Sequence, residues 1–350
     1  MAYTTIDKPS DYFNTKLYTG NGGTQSITGL DFQPDWCWLK ARAGANVSNH
    51  RSVDSVRSAT KELFQDATAA EETNTNGLTA FNSNGFSLGS SGGTNNSNTT
   101  YASWNWKAGT SFTNDASGTG IGSIDSTGSV NTDAGFSIIS YTGTGSVATI
   151  AHGLGVTPKF YLIKNRTNAR NWQSYHEPLG NQAYLRLNTT AAAATGAAIW
   201  NNTSPTSSVF SIGTSDFNAV NADGDNYIAY CFAEKQGYSK FGSYVGNGNA
   251  DGTFIYTGFS PAFFMLKRTD GTNSWRMWDN KRDPFNVRDT SINANETDAE
   301  YTDASVYMDF VSNGVKFRTT GDNTSGGNYI FMCFAENPFV TSTGVPACAR

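Results

Sequence analysis

One pattern recurs three times along this chain, and it limits the possible folds more tightly than any composition figure. Each copy opens on a Tyr-x-Gly turn: Tyr18-Thr19-Gly20, Tyr141-Thr142-Gly143 and Tyr244-Val245-Gly246. A proline follows 14 or 15 residues after the glycine (Pro34, Pro158, Pro261). Six residues beyond it an aromatic run ends in lysine: Trp36-Cys37-Trp38-Leu39-Lys40, Phe160-Tyr161-Leu162-Ile163-Lys164 and Phe263-Phe264-Met265-Leu266-Lys267. About 62 residues later each copy closes on a second aromatic run, beginning at Tyr101, Tyr227 and Tyr329. Copies of roughly 100 residues can each bury a core, unlike the shorter units of a solenoid. Serial modules of this kind build appendages and binding surfaces more often than active-site clefts.

The modules read as β structure. The 36 Gly against 9 Pro, together with 8 Trp, 16 Tyr and 22 Phe and no long run at helical period, form an all-β composition. Five Asn-Gly pairs (from Asn21, Asn76, Asn84, Asn247 and Asn313) and three Asp-Gly pairs (from Asp223, Asp251 and Asp270) supply the positive φ that tight hairpins require. Hairpins imply antiparallel sheets. The runs before the lysines are apolar at both parities, so they are expected to be central strands covered on both faces. The expected fold is three tandem antiparallel β-sandwich modules of jelly-roll type.

The expected boundaries are repeat 1 over residues 1–109, a Gly/Ser/Thr linker over 110–131, repeat 2 over 132–237, repeat 3 over 238–340 and a C-terminal tail over 341–350. The linker reading rests on a stretch with little to bury. Almost nothing separates copies two and three. Those two are therefore expected to dock rigidly, with the first copy freer to swing.

A net charge of −5 without a basic cluster gives no footprint for nucleic acid. Cys231 and Cys333 hold equivalent places in two copies and Cys37 lies between tryptophans, so they are expected as buried free thiols, with Cys348 in the tail. No CxxC spacing suggests zinc. Neither a signal-like apolar stretch at the N-terminus nor a membrane span is read, so the chain is expected to be made in a cytoplasm and to reach its place by assembly or lysis.

The candidates for chemistry are few. His50 aligns with Trp172 and Trp275 in the other copies, and His176 aligns with Asp54 and Asp279. A position that another copy fills with an aromatic is a poor catalytic base, and His152 reads as a turn residue. Asp279 with Asp283, or Glu296, Asp298 and Glu300, could supply the two acids of a glycosidase, but neither set recurs in the other copies. Asn221, Asp223 and Asp225 resemble part of a calcium loop that lacks its distal glutamate. Lys40, Lys164 and Lys267 recur in all copies, each with an arginine close by (Arg42, Arg166, Arg268). Trp172, Trp275 and Trp278 lie among polar residues; core packing is the default for them, and as exposed rings they would stack on sugars or line an oligomer interface, which makes them, with Lys164 and Lys267, the ligand-binding candidates. No cofactor is expected.

The phrases Phe32-Gln33-Pro34-Asp35-Trp36-Cys37-Trp38-Leu39-Lys40, Phe81-Asn82-Ser83-Asn84-Gly85-Phe86-Ser87-Leu88-Gly89 and Tyr227-Ile228-Ala229-Tyr230-Cys231-Phe232-Ala233-Glu234 resemble a repeat family of virion structural or tail-fibre-type proteins from tailed phages of marine bacteria. The resemblance extends from Tyr12 to Phe339. It implies a non-enzymatic virion protein on the particle exterior, as a tail fibre or appendage, with capsid decoration and a lectin-like module or glycan depolymerase as alternatives. The implied partners are other virion proteins, further copies of the chain as a homo-oligomer, with a trimer favoured, and a host surface glycan.

Overall fold

A computed structural model describes residues 2–214 and 219–347. All three repeats fold as the all-β antiparallel sandwich the sequence implies. Each builds a six-strand sheet in the same order: an opening strand, the closing strand, the lysine strand, then three short strands. The opening strands are Phe13–Thr19, Phe136–Thr142 and Ser239–Val245, and the closing strands are Thr100–Trp106, Asn226–Phe232 and Asn328–Pro338. The lysine strands are Trp36–Ala43, Phe160–Asn165 and Phe259–Arg268. A third strand follows (Arg51–Asp54, Gln173–His176, Arg276–Asp279), then a fourth (Lys61–Phe64, Ala183–Arg186, Thr290–Asn293).

A small sheet covers the outer face of each large one. It has three strands in modules 1 and 3 and two in module 2 (Ala148–Ala151 with Val209–Ile212). Ser83-Asn84 and Ser312-Asn313 form the two-residue loops of its hairpins in modules 1 and 3, and Gly85 and Gly314 open the returning strands, one place later than an Asn-Gly turn would put them.

The opening Tyr-x-Gly has a packing cause. Tyr18, Tyr141 and Tyr244 stack on the closing Tyr101, Tyr227 and Tyr329 at 5.0, 5.1 and 4.7 Å between centroids. The chain then turns so closely past its neighbour that a Cβ on Gly20, Gly143 or Gly246 would lie 2.2 Å from a backbone oxygen. Only glycine fits there.

Both parities of the lysine strands are buried, as expected, but two different coverings bury them. Cys37 and Leu39 face the small sheet of module 1, whereas Trp36 and Trp38 enter a core shared by all three modules. The same division sends Tyr161 and Ile163 outward and Phe160 and Leu162 inward, and sends Phe264 and Leu266 outward and Phe263 and Met265 inward. At the centre, Trp106, Phe232 and Phe334 hold equivalent positions on the three closing strands. Their rings form a triangle with sides of 5.7, 6.0 and 6.3 Å, each pair edge to face. The modules thus close into a ring around a pseudo-threefold axis.

Two expectations are corrected by this closure. The first module does not swing: Trp36 stacks on Tyr230 of module 2 at 4.3 Å, and Phe13 stacks on Phe334 of module 3 at 4.9 Å. Residues 110–131 are not a linker either. Thr110–Asn114 and Ser126–Asn131 pair with each other and extend the large sheet of module 2 to eight strands. Their polar composition concealed this because an edge hairpin is held mainly by backbone hydrogen bonds.

Cys37, Cys231 and Cys333 are free and buried in three separate outer cores, and burial raises their thiol pKa values. Cys348 lies outside the described residues. Among those described, no helix is long and apolar enough to cross a membrane.

Removing residues 1–109 would strip Phe13, Trp36, Trp38, Trp104 and Trp106 from the shared core. The fragment 132–340 should therefore fail to unfold cooperatively, whereas the whole chain should melt in one transition. Calorimetry of both checks this, and a sharp independent transition in the fragment would contradict the shared core.

Candidate functional site at the module seams

The recurring lysines, His50, His176, Trp172 and Trp275 converge on the three seams of the ring, and the contacts run in one rotational sense. Module 1 reaches module 2, module 2 reaches module 3, and module 3 reaches module 1, as in a head-to-tail assembly closed by rotation.

The recurring lysines are buried. Lys40 Nζ donates to the carbonyls of Ser48 in its own module and Thr297 of module 3, at 2.7 and 2.6 Å. Lys164 donates to Asn165 and to Thr68 of module 1, at 2.7 and 3.1 Å. Lys267 donates to Asn273 and to Thr190 of module 2, at 2.7 and 3.0 Å. Each lysine therefore ties its strand end to the loop arriving from the preceding module. Burial depresses the pKa to about 8 for Lys40, about 7 for Lys164 and about 8 for Lys267. Two carbonyl acceptors suit the ammonium and the amine alike.

The tryptophans expected as exposed sugar-stacking residues are buried instead: Trp172 and Trp278 are 0% exposed and Trp275 is 2%. Trp278 lies in the outer core of module 3. Trp172 and Trp275 are seam donors. Their indole Nε1 atoms donate to the carbonyls of Phe64 and Arg186, each the last residue of the preceding module's fourth strand, at 2.7 and 3.1 Å. In module 1 the equivalent residue is His50, and its Nε2 meets the equivalent carbonyl of Asn293 at 3.0 Å. Trp38 Nε1 donates to His50 Nδ1 at 2.8 Å, which assigns the proton to Nε2. Histidine and tryptophan exchange in this repeat because both place a ring N–H at the same reach.

Their neighbours differ in size to match. Module 1 combines Trp38 with His50, where the others combine Leu162 with Trp172 and Met265 with Trp275.

A third contact joins the seams through the ends of the third strands. Arg57 and Arg282 bind Asp54 and Asp279 through Nε and backbone N, and each Nη2 caps a carbonyl five residues upstream. The aspartate then accepts from the next module: Tyr230 Oη on Asp54 at 2.7 Å, Trp104 Nε1 on Asp279 at 3.0 Å. Arg42 and Arg166 add bidentate pairs with Glu300 and Glu71 across two seams. Among the described residues, the seam from module 2 to module 3 has none of these. His176 replaces the aspartate and meets only the Phe331 carbonyl at 3.0 Å, while Ala193 and Thr269 replace the glutamate and arginine, joined by a backbone hydrogen bond. Arg268 pairs within its own module, with Asp270.

The acids proposed for a glycosidase are likewise engaged. Glu296 accepts from Ser274 and Asn293, Glu300 pairs with Arg42, and Asp283 accepts the backbone N–H groups of Asp289 and Thr290, while Asp298 is exposed. Two surface clefts of about 330 and 410 Å³ are present. The first has no ionisable lining residue, and the second has Asp35, whose oxygens accept from Ser55 and the Ala108 N–H.

The calcium candidates form a turn clasp. Asn221 Oδ1 accepts the Thr144 N–H and its Nδ2 donates to the carbonyls of Ser146 and Gly213. Asp225 accepts from the side-chain amides of Asn165 and Asn168, and Asp223 is exposed. Asn95 and Asn323 make the equivalent clasp, accepting the N–H of Asn21 and Asn247. The sequence reading missed those two, although an asparagine six residues before each closing tyrosine was there to be seen.

A family model described as a domain of unknown function, DUF7483, matches residues 8–338, and the chain belongs to that family. The match spans all three modules as one domain, so the family's unit is the ring rather than the single repeat. No curated protein matches the chain.

Replacing His50 with Trp in wild type should overpack the seam against Trp38 and cost about 1–3 kcal/mol. Combined with Trp38→Leu, which restores the pairing of module 2, the loss should be less than the sum of the single losses by about 1 kcal/mol or more. Urea unfolding of the four-member cycle measures this coupling, and simple additivity would contradict the size exchange.

Burial also sets an acid response. The pKa of His152 and of His176 falls to about 4, and that of His50 falls well below its ordinary value of 6.5. The folded state thus binds fewer of these protons than the unfolded chain. Their contribution is complete above pH 6.5 and is lost as pH falls toward 4, by up to about 1.4 kcal/mol per pH unit for each histidine. A His176→Asn variant should show a shallower fall in stability between pH 6 and 5 than wild type, measured by urea midpoints.

Proposed function

We propose that this is a non-enzymatic structural protein displayed on the exterior of a tailed-phage particle, as a tail fibre or appendage. The observation that carries the reading is where the ionisable side chains are spent. The recurring lysines, two of the three histidines and the buried Asp–Arg pairs all join modules, and the candidate acids other than the exposed Asp298 are held in structural contacts. A chain selected for a rigid, self-closed body uses polar groups in this way. The exterior placement rests on the virion-family phrases in the sequence.

Capsid decoration is the second reading, favoured by the compact ring without an extended shaft among the described residues. The head-to-tail contacts that would join three separate modules are already made within one chain. A homotrimer of whole chains would therefore use a different surface.

Mass spectrometry and cryo-electron microscopy of purified particles test the proposal. The expected result is the chain on the outside of the particle, on the tail or the capsid. Its absence from particles, or release of reducing sugar from host polysaccharide by the purified chain, would overturn it.

A further inference from the structure

The three modules share their interior, and module 3 departs from the repeat on its outer face. The edge strand Phe254–Tyr256 of its small sheet turns Ile255 inward and leaves Phe254 44% and Tyr256 51% exposed. The equivalent places hold Ser26 and Thr28 around Ile27 in module 1, and Thr149 and Ala151 around Ile150 in module 2. The repeat therefore needs no aromatic side chain there, and folding twice succeeds without one. The Phe254 ring lies against Gly314, where a Cβ would stand 2.9 Å from the ring edge. One edge of the ring is thus held against the sheet while much of the side chain remains open to solvent.

Beside the rings runs a row of polar groups in register across the sheet, Phe254 opposite Lys316 and Lys316 opposite Asp309. Lys316 pairs with Asp251 at 2.9 Å, and Arg318 pairs with Asp309 at 2.6 Å. Two cations and two anions neutralise one another, so the face offers no net field to select a charged partner.

We propose that this face is a binding site for a neutral polysaccharide, with Phe254 and Tyr256 stacking on the C–H faces of sugar rings and the neighbouring ion pairs and Asp251 meeting the hydroxyls. Residues i and i+2 of a strand place the two rings about 7 Å apart on one side of the sheet. The apolar surface is divided by polar side chains, which suits a ligand that alternates C–H faces with hydroxyls better than it suits the continuous apolar core of a protein interface. The biological use of the site rests on the exterior placement proposed above, but the binding itself is a property of the isolated chain.

The repeat supplies the test variant. Phe254→Ser with Tyr256→Thr gives module 3 the side chains of module 1. Affinity gel electrophoresis of the full chain would be run through gels holding dextran, mannan, galactan or laminarin, with carrageenan as the charged comparison. The wild type should be retarded by at least one neutral polymer and not selectively by carrageenan. The double variant should lose at least about tenfold in affinity at an unchanged melting temperature, which corresponds to about 1.4 kcal/mol. Retardation by none of the neutral polymers, equal binding by the variant, or a change in sedimentation mass between the two proteins would overturn the proposal, the last by making the face a contact between copies. Binding by a chain absent from particles would refute the virion reading alone, and a particle protein that binds no neutral glycan would refute this site alone.

Discussion

Trp106, Phe232 and Phe334 meet edge to face on the pseudo-threefold axis, and the rest of the molecule depends on that meeting. Each ring belongs to the closing strand, which lies between the opening and lysine strands of its own sheet. Bringing the three rings together therefore brings three sheet faces together. The aromatic surface so buried includes Trp36, Trp38, Trp104, Phe160 and Phe263, none of which could stay exposed on an isolated module without presenting a large apolar patch. Association of the modules follows from hydrophobic burial, and the polar contacts at the seams then fix rotation and direction.

Those polar contacts are sparsest at the seam with the shortest covalent connection. Modules 2 and 3 follow each other with almost no intervening chain, and among the described residues their seam has no crossing Arg–Glu pair and no Asp–Arg pair. The seam between modules 3 and 1 has no direct chain connection across it. It has both, with Arg42 on Glu300 and Trp104 on the Asp279–Arg282 pair. A short tether holds two surfaces at high effective concentration, so fewer specific contacts are required there. The N-terminal segment adds a clasp on the same side of the ring, through Tyr3 on the Gly258 carbonyl, Thr4 on the Gln236 carbonyl and Asp7 on Ser342.

The buried polar groups also account for the structural contacts that residues of chemical type make at the seams. A lysine or indole N–H at a strand end in a closed interface must find an acceptor or lose the free energy of its lost hydration. Here the acceptors are backbone carbonyls of the adjoining module. Recurrence of Lys40, Lys164 and Lys267 thus reflects a contact shared by the three seams.

By itself the sequence determined the threefold repetition, the all-β antiparallel class, the central position of the lysine strands and the separate burial of Cys231 and Cys333. These features are local: turn residues, alternation along a strand and spacing within one module are written in neighbouring positions. Only the tertiary structure decided that the modules close on one another, that Trp172 and Trp275 are seam donors rather than exposed rings, and that residues 110–131 extend a sheet. A strand buried by a second sheet and one buried by another module have the same apolar pattern, because the hydrophobic effect registers the loss of water and not the identity of what replaces it.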